Sequence, residues 1–542
     1  MKKNGVYSLD SKKTVKSFLN VKTSIPFSDK VEDPSVIDPA ERIELIFSED
    51  LDMDTVKDGI NLYKVKSDGK EEDMGDVIDL DENSPSLIYI NKSEAISEGD
   101  EYKLSITDKV KSVSGASIKE EFVNYFALDY SFNLNSEGIS DLDNERTLIV
   151  CISDLHLGAN DAYAELTSNR DALVNFLEHI RNSPNVKELV IAGDLIDEWF
   201  IPMHLDTFNG KTQLDFTKAV ASNNKPVFDA FNNIIKDGQV KVTYVPGNHD
   251  ILIDSEDIQS IMPGISETRD VRGLGAYTPS DFPELIIEHG HRYNFYCAPD
   301  YSNQSLTQTD SILPPGYFFT RMATSSVVQG RPKLNINFPP VQKNDLGEVQ
   351  FLYFLYWNVW KGLISDFPVE EGLDKKAINT GIDGFIDCYA ISDFLPYQNS
   401  EDGPIDVNLY KGIIEGWDER QSNNLVPVKI PTDEAVLKGA FASHLDDQSG
   451  LQFFNNPDSD KRIVIFGHSH EARVITSCNE KGEKQVYVNS GTWIDKNKCT
   501  MTFVVVAPPK NKDSTPAYAN LYQYSPSGDI KKLESQALTN IK

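Results

Sequence analysis

Thr147-Leu148-Ile149-Val150-Cys151-Ile152-Ser153-Asp154-Leu155-His156-Leu157-Gly158 is the stretch that decides how this chain folds. Its first half is apolar and reads as a buried strand. Its second half ends that strand in a loop carrying Asp154 and His156 beside Gly158. The same arrangement recurs downstream. Glu188-Leu189-Val190-Ile191-Ala192 runs into Gly193-Asp194-Leu195-Ile196-Asp197, and Val242-Thr243-Tyr244-Val245 precedes Gly247-Asn248-His249-Asp250. Leu285-Ile286-Ile287-Glu288 leads to His289-Gly290-His291, and Arg462-Ile463-Val464-Ile465-Phe466 leads to Gly467-His468-Ser469-His470. Helical spacing separates the early strands, as at Leu173, Phe176, Leu177 and Ile180 and again from 227 to 236. Alternating strands and helices predict an α/β layout around a central sheet. Strands continue at 485–488, 501–506 and 518–524.

Loops at the carboxyl ends of such strands are where α/β sheets place their sites. Glycine beside a ligand lets the backbone turn sharply and bring the side chain inward. One Asp-x-His or His-x-His alone is a weak signal. Five together, each behind a strand, carry far more weight. Six of the nine histidines lie in these loops, while His179, His204 and His444 do not and read as structural or surface groups.

Outward from the motifs, composition bounds the rest. The 542 residues suffice for two or more domains, and 39% hydrophobic with 25% charged residues is ordinary for a globular chain. Lys and Arg number 52 against 84 Asp and Glu, a net charge of −32. Such a surface is unsuited to displacing counterions from nucleic acid or to adhering to anionic lipid, so nucleic acid is not an expected partner. No apolar run approaches the ~18 residues a spanning helix needs, so no transmembrane segment is expected. The start, Met1-Lys2-Lys3-Asn4-Gly5-Val6-Tyr7, has no apolar h-region behind it, so no secretory leader is expected and the cytoplasm is favoured. Cys151, Cys297, Cys388, Cys478 and Cys499 are dispersed and read as small core residues rather than disulfides or a zinc-thiolate site.

Residues 1–30 read as a polar tail. Residues 31–130 read as short strands between turns, with Ile43, Leu45 and Phe47 on one face, then Leu87-Ile88-Tyr89-Ile90, then Tyr102, Leu104 and Ile106. Turn signals fall at Ser67-Asp68-Gly69, Glu98-Gly99-Asp100 and Ser114-Gly115. Residues 131–146 read as a polar linker, and 147–542 as the α/β domain.

In family order, the five motifs resemble the signature of the calcineurin-like metallophosphoesterase superfamily, from about 147 to 495. Val488-Asn489-Ser490-Gly491-Thr492-Trp493 resembles the segment that follows the last motif in many members. The resemblance implies a four-layer β-sandwich flanked by helices, with two divalent metals (Mn, Fe, Zn or Mg, with Mn favoured) at one edge. It implies that Asp154, His156 and His470 hold one metal, that Asn248, His289 and His468 hold the other, and that Asp194 bridges them. Donors of these types suit hard or borderline cations. Two such metals clamp a phosphate and supply a hydroxide for in-line attack. His249 is implied as the group serving the leaving oxygen, with Asp197 fixing its tautomer. His291 is left open between contacting phosphate, supporting a ligand and, least favoured, binding metal itself.

The resemblance also shows departures. Phosphoprotein phosphatases of the superfamily carry Arg where this chain has Glu198, so phosphoserine is disfavoured. The segment 193–199 looks more like the branch containing UDP-2,3-diacylglucosamine pyrophosphatase, which usually has Arg where this chain has His249. The expected reaction is hydrolysis of a phosphomonoester, phosphodiester or pyrophosphate bond in a small-molecule or lipid-linked substrate. A nuclease, and an envelope binding protein with a vestigial metal site, are the alternatives. The acidic charge stands against the first and the complete ligand set against the second.

Phe47-Ser48-Glu49-Asp50-Leu51-Asp52, Gly99-Asp100-Glu101-Tyr102-Lys103-Leu104 and Ser112-Val113-Ser114-Gly115 resemble the bacterial Ig-like domain of S-layer and surface proteins. That implies a small all-β sandwich acting as a spacer or docking module, and it points to the cell surface. Between the fourth and fifth motifs, the stretch from about 295 to 455 reads as a large insertion, aromatic and Pro-rich. Its densest piece, Phe351-Leu352-Tyr353-Phe354-Leu355-Tyr356-Trp357-Asn358-Val359-Trp360, is too short to span a bilayer. A buried core helix is the expectation, with an apolar wall beside the metals or membrane contact as alternatives.

Overall fold

The computed structural model describes residues 18–538 except 24–28, 32–33, 38–42, 67–68, 76–77, 81–84, 91–99, 129–133, 135–138, 140–144, 271–273, 303–310, 480 and 510–515. Most of the expected tail and linker, and parts of the turns at 67–69 and 98–100, lie outside the described residues. The chain divides into two compact units, 1–131 with 480–482 and 540–542, and 132–479 with 483–539.

The first unit contains β1 (Val21–Thr23), β2 (Ser35–Ile37), β3 (Ile43–Phe47), β4 (Ile60–Val65), β5 (Glu71–Asp73), β6 (Ile78–Leu80), β7 (Leu87–Ile90), β8 (Glu101–Ile106) and β9 (Phe122–Leu128). They form two sheets, ordered β1-β3-β7-β6 and β2-β9-β8-β4-β5. Pairing of Ile60 with Ile106 and of Leu62 with Leu104 puts four apolar side chains on one face. Those side chains share a single core with Ile43, Leu45 and Phe47 of the other sheet.

The second unit is mixed α/β. Its first strands are β10 (Leu148–Ile152), β11 (Val186–Ala192), β12 (Lys241–Val245), β13 (Ser266–Glu267) and β14 (Leu285–Ile287). Two-residue strands follow at β15 (Ile378–Asn379), β16 (Cys388–Tyr389), β17 (Tyr397–Gln398) and β18 (Ile405–Asp406). The last are β19 (Ile463–Phe466), β20 (Arg473–Cys478), β21 (Lys484–Asn489), β22 (Thr502–Ala507), β23 (Tyr518–Tyr524) and β24 (Ile530–Ala537). A seven-stranded sheet runs β13-β12-β11-β10-β22-β23-β24, and a four-stranded sheet runs β14-β19-β21-β20. Strands β10 to β13 are mutually parallel, and β22 joins β10 antiparallel.

Side chains alternate across a strand with period two, and that alternation sorts the cores. Leu148, Val150 and Ile152 pack with the apolar faces of helices Arg170–Asn182 and Lys225–Asp237. Ile149 and Cys151 pack with Leu285, Ile287, Ile463 and Ile465, so the second core joins the two sheets. Val464 and Phe466, on the other face of β19, belong to a third core built by the segment between β14 and β19. Helix Glu348–Asp366 buries Leu352, Tyr353, Tyr356, Trp357 and Trp360 in that third core. The dense aromatic piece is therefore a core helix. Among the described residues no helix is long and apolar enough to cross a membrane.

Three sequence expectations need adjustment, the first being the tail at 1–30, which supplies β1 (Val21–Thr23) to a sheet and the buried Leu19 to the core of the first unit. The five cysteines are free, but only Cys151 is fully buried, the others being half-buried. The polar linker also carries two core residues: Leu134 and Ile139 are buried among the side chains of the helix-side core. A chain beginning at residue 132 is therefore expected to be more stable to urea than one beginning at 140. The difference should be roughly 2–5 kcal/mol, the size of removing large buried side chains. Equal midpoints in paired urea titrations would show that these two side chains add nothing.

Candidate metal centre

Each expected ligand leaves a strand end through a strained or crowded turn. Asp154, His156, Asp194, His468 and His470 all have positive φ, between 46° and 67°. Non-glycine residues rarely adopt this left-handed conformation, and such strain concentrates at functional sites. The neighbouring glycines are there for space. A Cβ on Gly247 would lie 2.1 Å from Asp194 Oδ1, and one on Gly467 would lie 2.5 Å from Asp154 Oδ2. A Cβ on Gly193 would meet the His289 ring at 2.4 Å.

These turns bring three groups of donors together: Asp154, His156, Asp194 and His470; Asp194, His289 and His468; and His156, Asp197 and His249. His156 Nε2 and His470 Nε2 face each other at 3.1 Å, and His470 Nε2 is 3.1 Å from Asp154 Oδ1. Asn248 Oδ1 is 3.0 Å from His289 Nε2. Asp194 Oδ2 stands 3.6 Å from His156 Nε2 and 3.1 Å from His289 Nε2, so one carboxylate touches both groups. Such a convergence of imidazole nitrogens, carboxylates and an amide oxygen, all buried or half-buried, fits divalent cations.

Second partners aim the imidazoles. His289 Nδ1–H donates to Ala192 O at 2.9 Å, turning Nε2 inward. Asp197 does double duty. Its Oδ2 is 2.7 Å from His156 Nδ1, its Oδ1 is 2.8 Å from His249 Nδ1, and Trp199 N and Phe200 N donate to Oδ1 at 2.8 and 2.7 Å. A fixed second nitrogen sets tautomer and ring orientation in metal sites. Asp250 ties two motif loops together by accepting from Leu195 N at 2.8 Å and from Gly247 N at 2.6 Å.

Charge follows geometry. Burial opposes ionisation of Asp154, Asp194 and Asp197, yet the surrounding imidazoles hold all three below the usual carboxylate range. Burial also opposes a proton on His289, but Asp194 and Asp154 push it up to about 9. His468 is pushed down to about 3, first by burial and then by the neighbouring His289.

The structure brings together every residue picked from the motifs as a ligand or catalytic group. His291 is not in any of the three donor groups. It is buried beside the His289 ring, with neither nitrogen hydrogen-bonded among the described residues. Of the remaining histidines, His444 Nε2 donates to Tyr293 O at 3.0 Å, His179 meets Tyr524 OH at 2.9 Å, and His204 is exposed. Sequence reading missed the Asp197–His156 contact, the Glu165 carboxylate 3.6 Å from His156 Nδ1, and the Trp199 ring stacked on His249. Glu165 left no sequence signal, and Trp199 left one only as the end of the stretch 193–199.

Residues 147–331 match the calcineurin-like phosphoesterase family, a stretch that takes in the first four motifs and stops before His468. A match of that kind over the first four motifs indicates a metal-dependent phosphoester hydrolase domain. No curated protein matches it. Among solved structures, E. coli alpha-2-macroglobulin is similar at 15% identity and TM-score 0.16, over 27% of this chain and 7% of that one. CopC from Methylosinus trichosporium OB3b is similar at 17% identity and TM-score 0.15, over 22% of this chain and 97% of that one. The N-terminal part of the bacterial S-layer protein SbsC follows at 15% identity and TM-score 0.15, over 23% and 27%. Likenesses of that size decide nothing about function.

Glu198 gives a test of the site's electrostatics. It is fully buried, held by Gln213 Nε2 at 2.9 Å, with its second oxygen unpartnered among the described residues. Burial, with Asp250, Asp257 and Asp197 nearby, pushes its carboxyl up to about 8. The folded chain therefore keeps a proton that the unfolded chain has lost, and stability falls as pH rises from about 4.5 through 8. Glu198→Gln should flatten that fall, with melting temperatures close to the parent at pH 5 and higher than the parent at pH 8.5. Parallel melting curves across this range would show that Glu198 is not buried as described.

Proposed function

We propose that the chain is a dinuclear phosphoesterase acting on a phosphomonoester, phosphodiester or pyrophosphate bond of a small or lipid-linked substrate. The observation that supports it is Asp194, whose single buried carboxylate faces His156 on one side and His289 on the other. Asp154, His156 and His470 would hold one cation, and Asn248, His289 and His468 the other, with Asp194 shared between them. Manganese is the favoured occupant. When bound, such a pair supplies charge to neutralise the phosphoryl group and acidity to activate water.

The chain's own residues do the remaining work. Asp197 accepts from His249 Nδ1 and so leaves Nε2, the far end of that mostly buried ring, to give its proton to the departing oxygen. The same carboxylate accepts from His156 Nδ1 and so turns His156 Nε2 toward the donor cluster. Glycines at 193, 247 and 467 keep these side chains within reach by leaving no Cβ in the way.

The helix, sheet, sheet and insertion cores stack in an order that supports a four-layer metallophosphoesterase sandwich for about 147–542, with the insertion at about 295–455. The sheets β1-β3-β7-β6 and β2-β9-β8-β4-β5 and their shared core support reading that unit, about 31–130 with β1 before it, as an Ig-like sandwich, a spacer or docking module.

Reconstitution with excess Mn followed by elemental analysis should give close to two equivalents per chain. One equivalent or fewer would remove the dinuclear reading.

Neighbouring residues 248 and 249 should separate in their effects. Asn248→Ala is expected to lower both metal retention and rate. His249→Ala should keep the metal and lose about 10²–10⁴-fold in turnover of an alkyl ester, and less for p-nitrophenyl phosphate, whose leaving group needs little protonation. Asp197→Asn should weaken both functions, since it holds both rings. Loss of metal from His249→Ala would reverse the assignment.

A further inference from the structure

The large insertion grips the loop that follows the second motif. Arg321, on helix Pro315–Val328, is fully buried. Its Nε donates to Ile201 O at 2.7 Å, and its Nη2 to Pro202 O at 3.2 Å, to Asn379 O at 2.8 Å and to Leu205 O. Nη1 donates to Thr207 Oγ1 at 3.0 Å and to Tyr317 OH at 2.5 Å. Ser325 Oγ accepts from Met203 N at 2.8 Å, and Asn379 N donates to Met203 O at 2.7 Å. A guanidinium that spends its donors on the backbone carbonyls of one loop fixes that loop's path.

Trp199 stands at the head of the same loop. Its side chain is buried in the insertion's core, and Tyr317 meets its ring edge-on, with centroids 6.0 Å apart. On the other side its ring stacks on His249, at 4.7 Å and an interplanar angle of 28°. Nε1 of Trp199 is buried with no hydrogen-bond partner among the described residues, so packing alone sets the ring's place. His249 is thus held from three directions: Asp197 at Nδ1, Trp199 on its face, and His156 edge-on at 4.5 Å.

From this arrangement we infer that Trp199 is a positioning residue for His249, and that Arg321 and Tyr317 make the insertion the support on which Trp199 rests. Asp197 alone leaves the imidazole free to rotate about its hydrogen bond and to tilt. A flat ring against its face removes that freedom and keeps Nε2 aimed at the leaving oxygen. The inference rests on the role assigned to His249 under the proposed function.

The test is a double-mutant cycle on the full chain loaded with Mn, with metal content and the melting curve recorded for each variant. Trp199→Ala should lose about tenfold in kcat on an alkyl phosphate ester. Its loss on p-nitrophenyl phosphate should be clearly smaller, and both metals should be kept. Trp199→Phe, which keeps a flat ring and is the gentler change for folding, should recover much of the loss. In a His249→Ala background, Trp199→Ala should add little, because groups that act through one another are not additive. Equal losses on both esters, an undiminished effect in the His249→Ala background, or loss of metal would each overturn the inference. If His249→Ala alone leaves alkyl ester turnover unchanged, the role of His249 falls and this inference falls with it. A full His249 effect with an additive Trp199 effect sinks this inference only.

Discussion

One buried carboxylate, that of Asp194, must face two sets of imidazoles at once. The geometry around it follows from that demand. Asp194 itself sits at positive φ, and so do Asp154, His156, His468 and His470. Glycine precedes Asp194, Asn248 and His468 because any Cβ there would strike a neighbouring donor. Asp250 pins the second and third loops together through backbone amides, so the Asp194 and Asn248 turns keep their mutual distance. The sheets do the coarse placement by ending their parallel strands at one edge, and the turns do the fine placement.

Much of this was legible in the sequence because the motifs are local. Each is a strand followed within a few residues by ligand types and a glycine, and local order is what a sequence displays. The alternation of Leu148, Val150 and Ile152 against Ile149 and Cys151 likewise shows which strand is buried on both faces. What stayed hidden is long-range. Nothing in the spacing says that Asp197 holds His156 as well as His249, since that needs the loop after β10 folded beside the loop after β11. Glu165 lies in a stretch without periodicity, and only the closed loop puts its carboxylate near His156. Leu134 and Ile139 are isolated apolar residues in a polar run, too few to show a pattern.

The insertion is read most easily as packing. Its aromatic residues close over the outer face of β19 and β21, where Val464, Phe466 and Tyr487 would otherwise be bare. The same packing reaches the chemistry through very few side chains. Arg321 and Tyr317 hold the loop from 199 to 207, and that loop carries the ring that faces His249.

The pairing of β10 with β22 has a consequence for the order in which the molecule is made. Asp154 and His156 follow β10 early in the chain, while β22, which flanks β10 in the sheet, comes from residues 502–507. His468 and His470 arrive only shortly before β22. On the ribosome, β10 to β13 can therefore begin to align while one edge of β10 is still unpaired and His289, His468 and His470 are not yet synthesised. The cluster can close only after His468 and His470 have been synthesised. A message truncated anywhere before β19 therefore yields a chain that cannot assemble the full donor set.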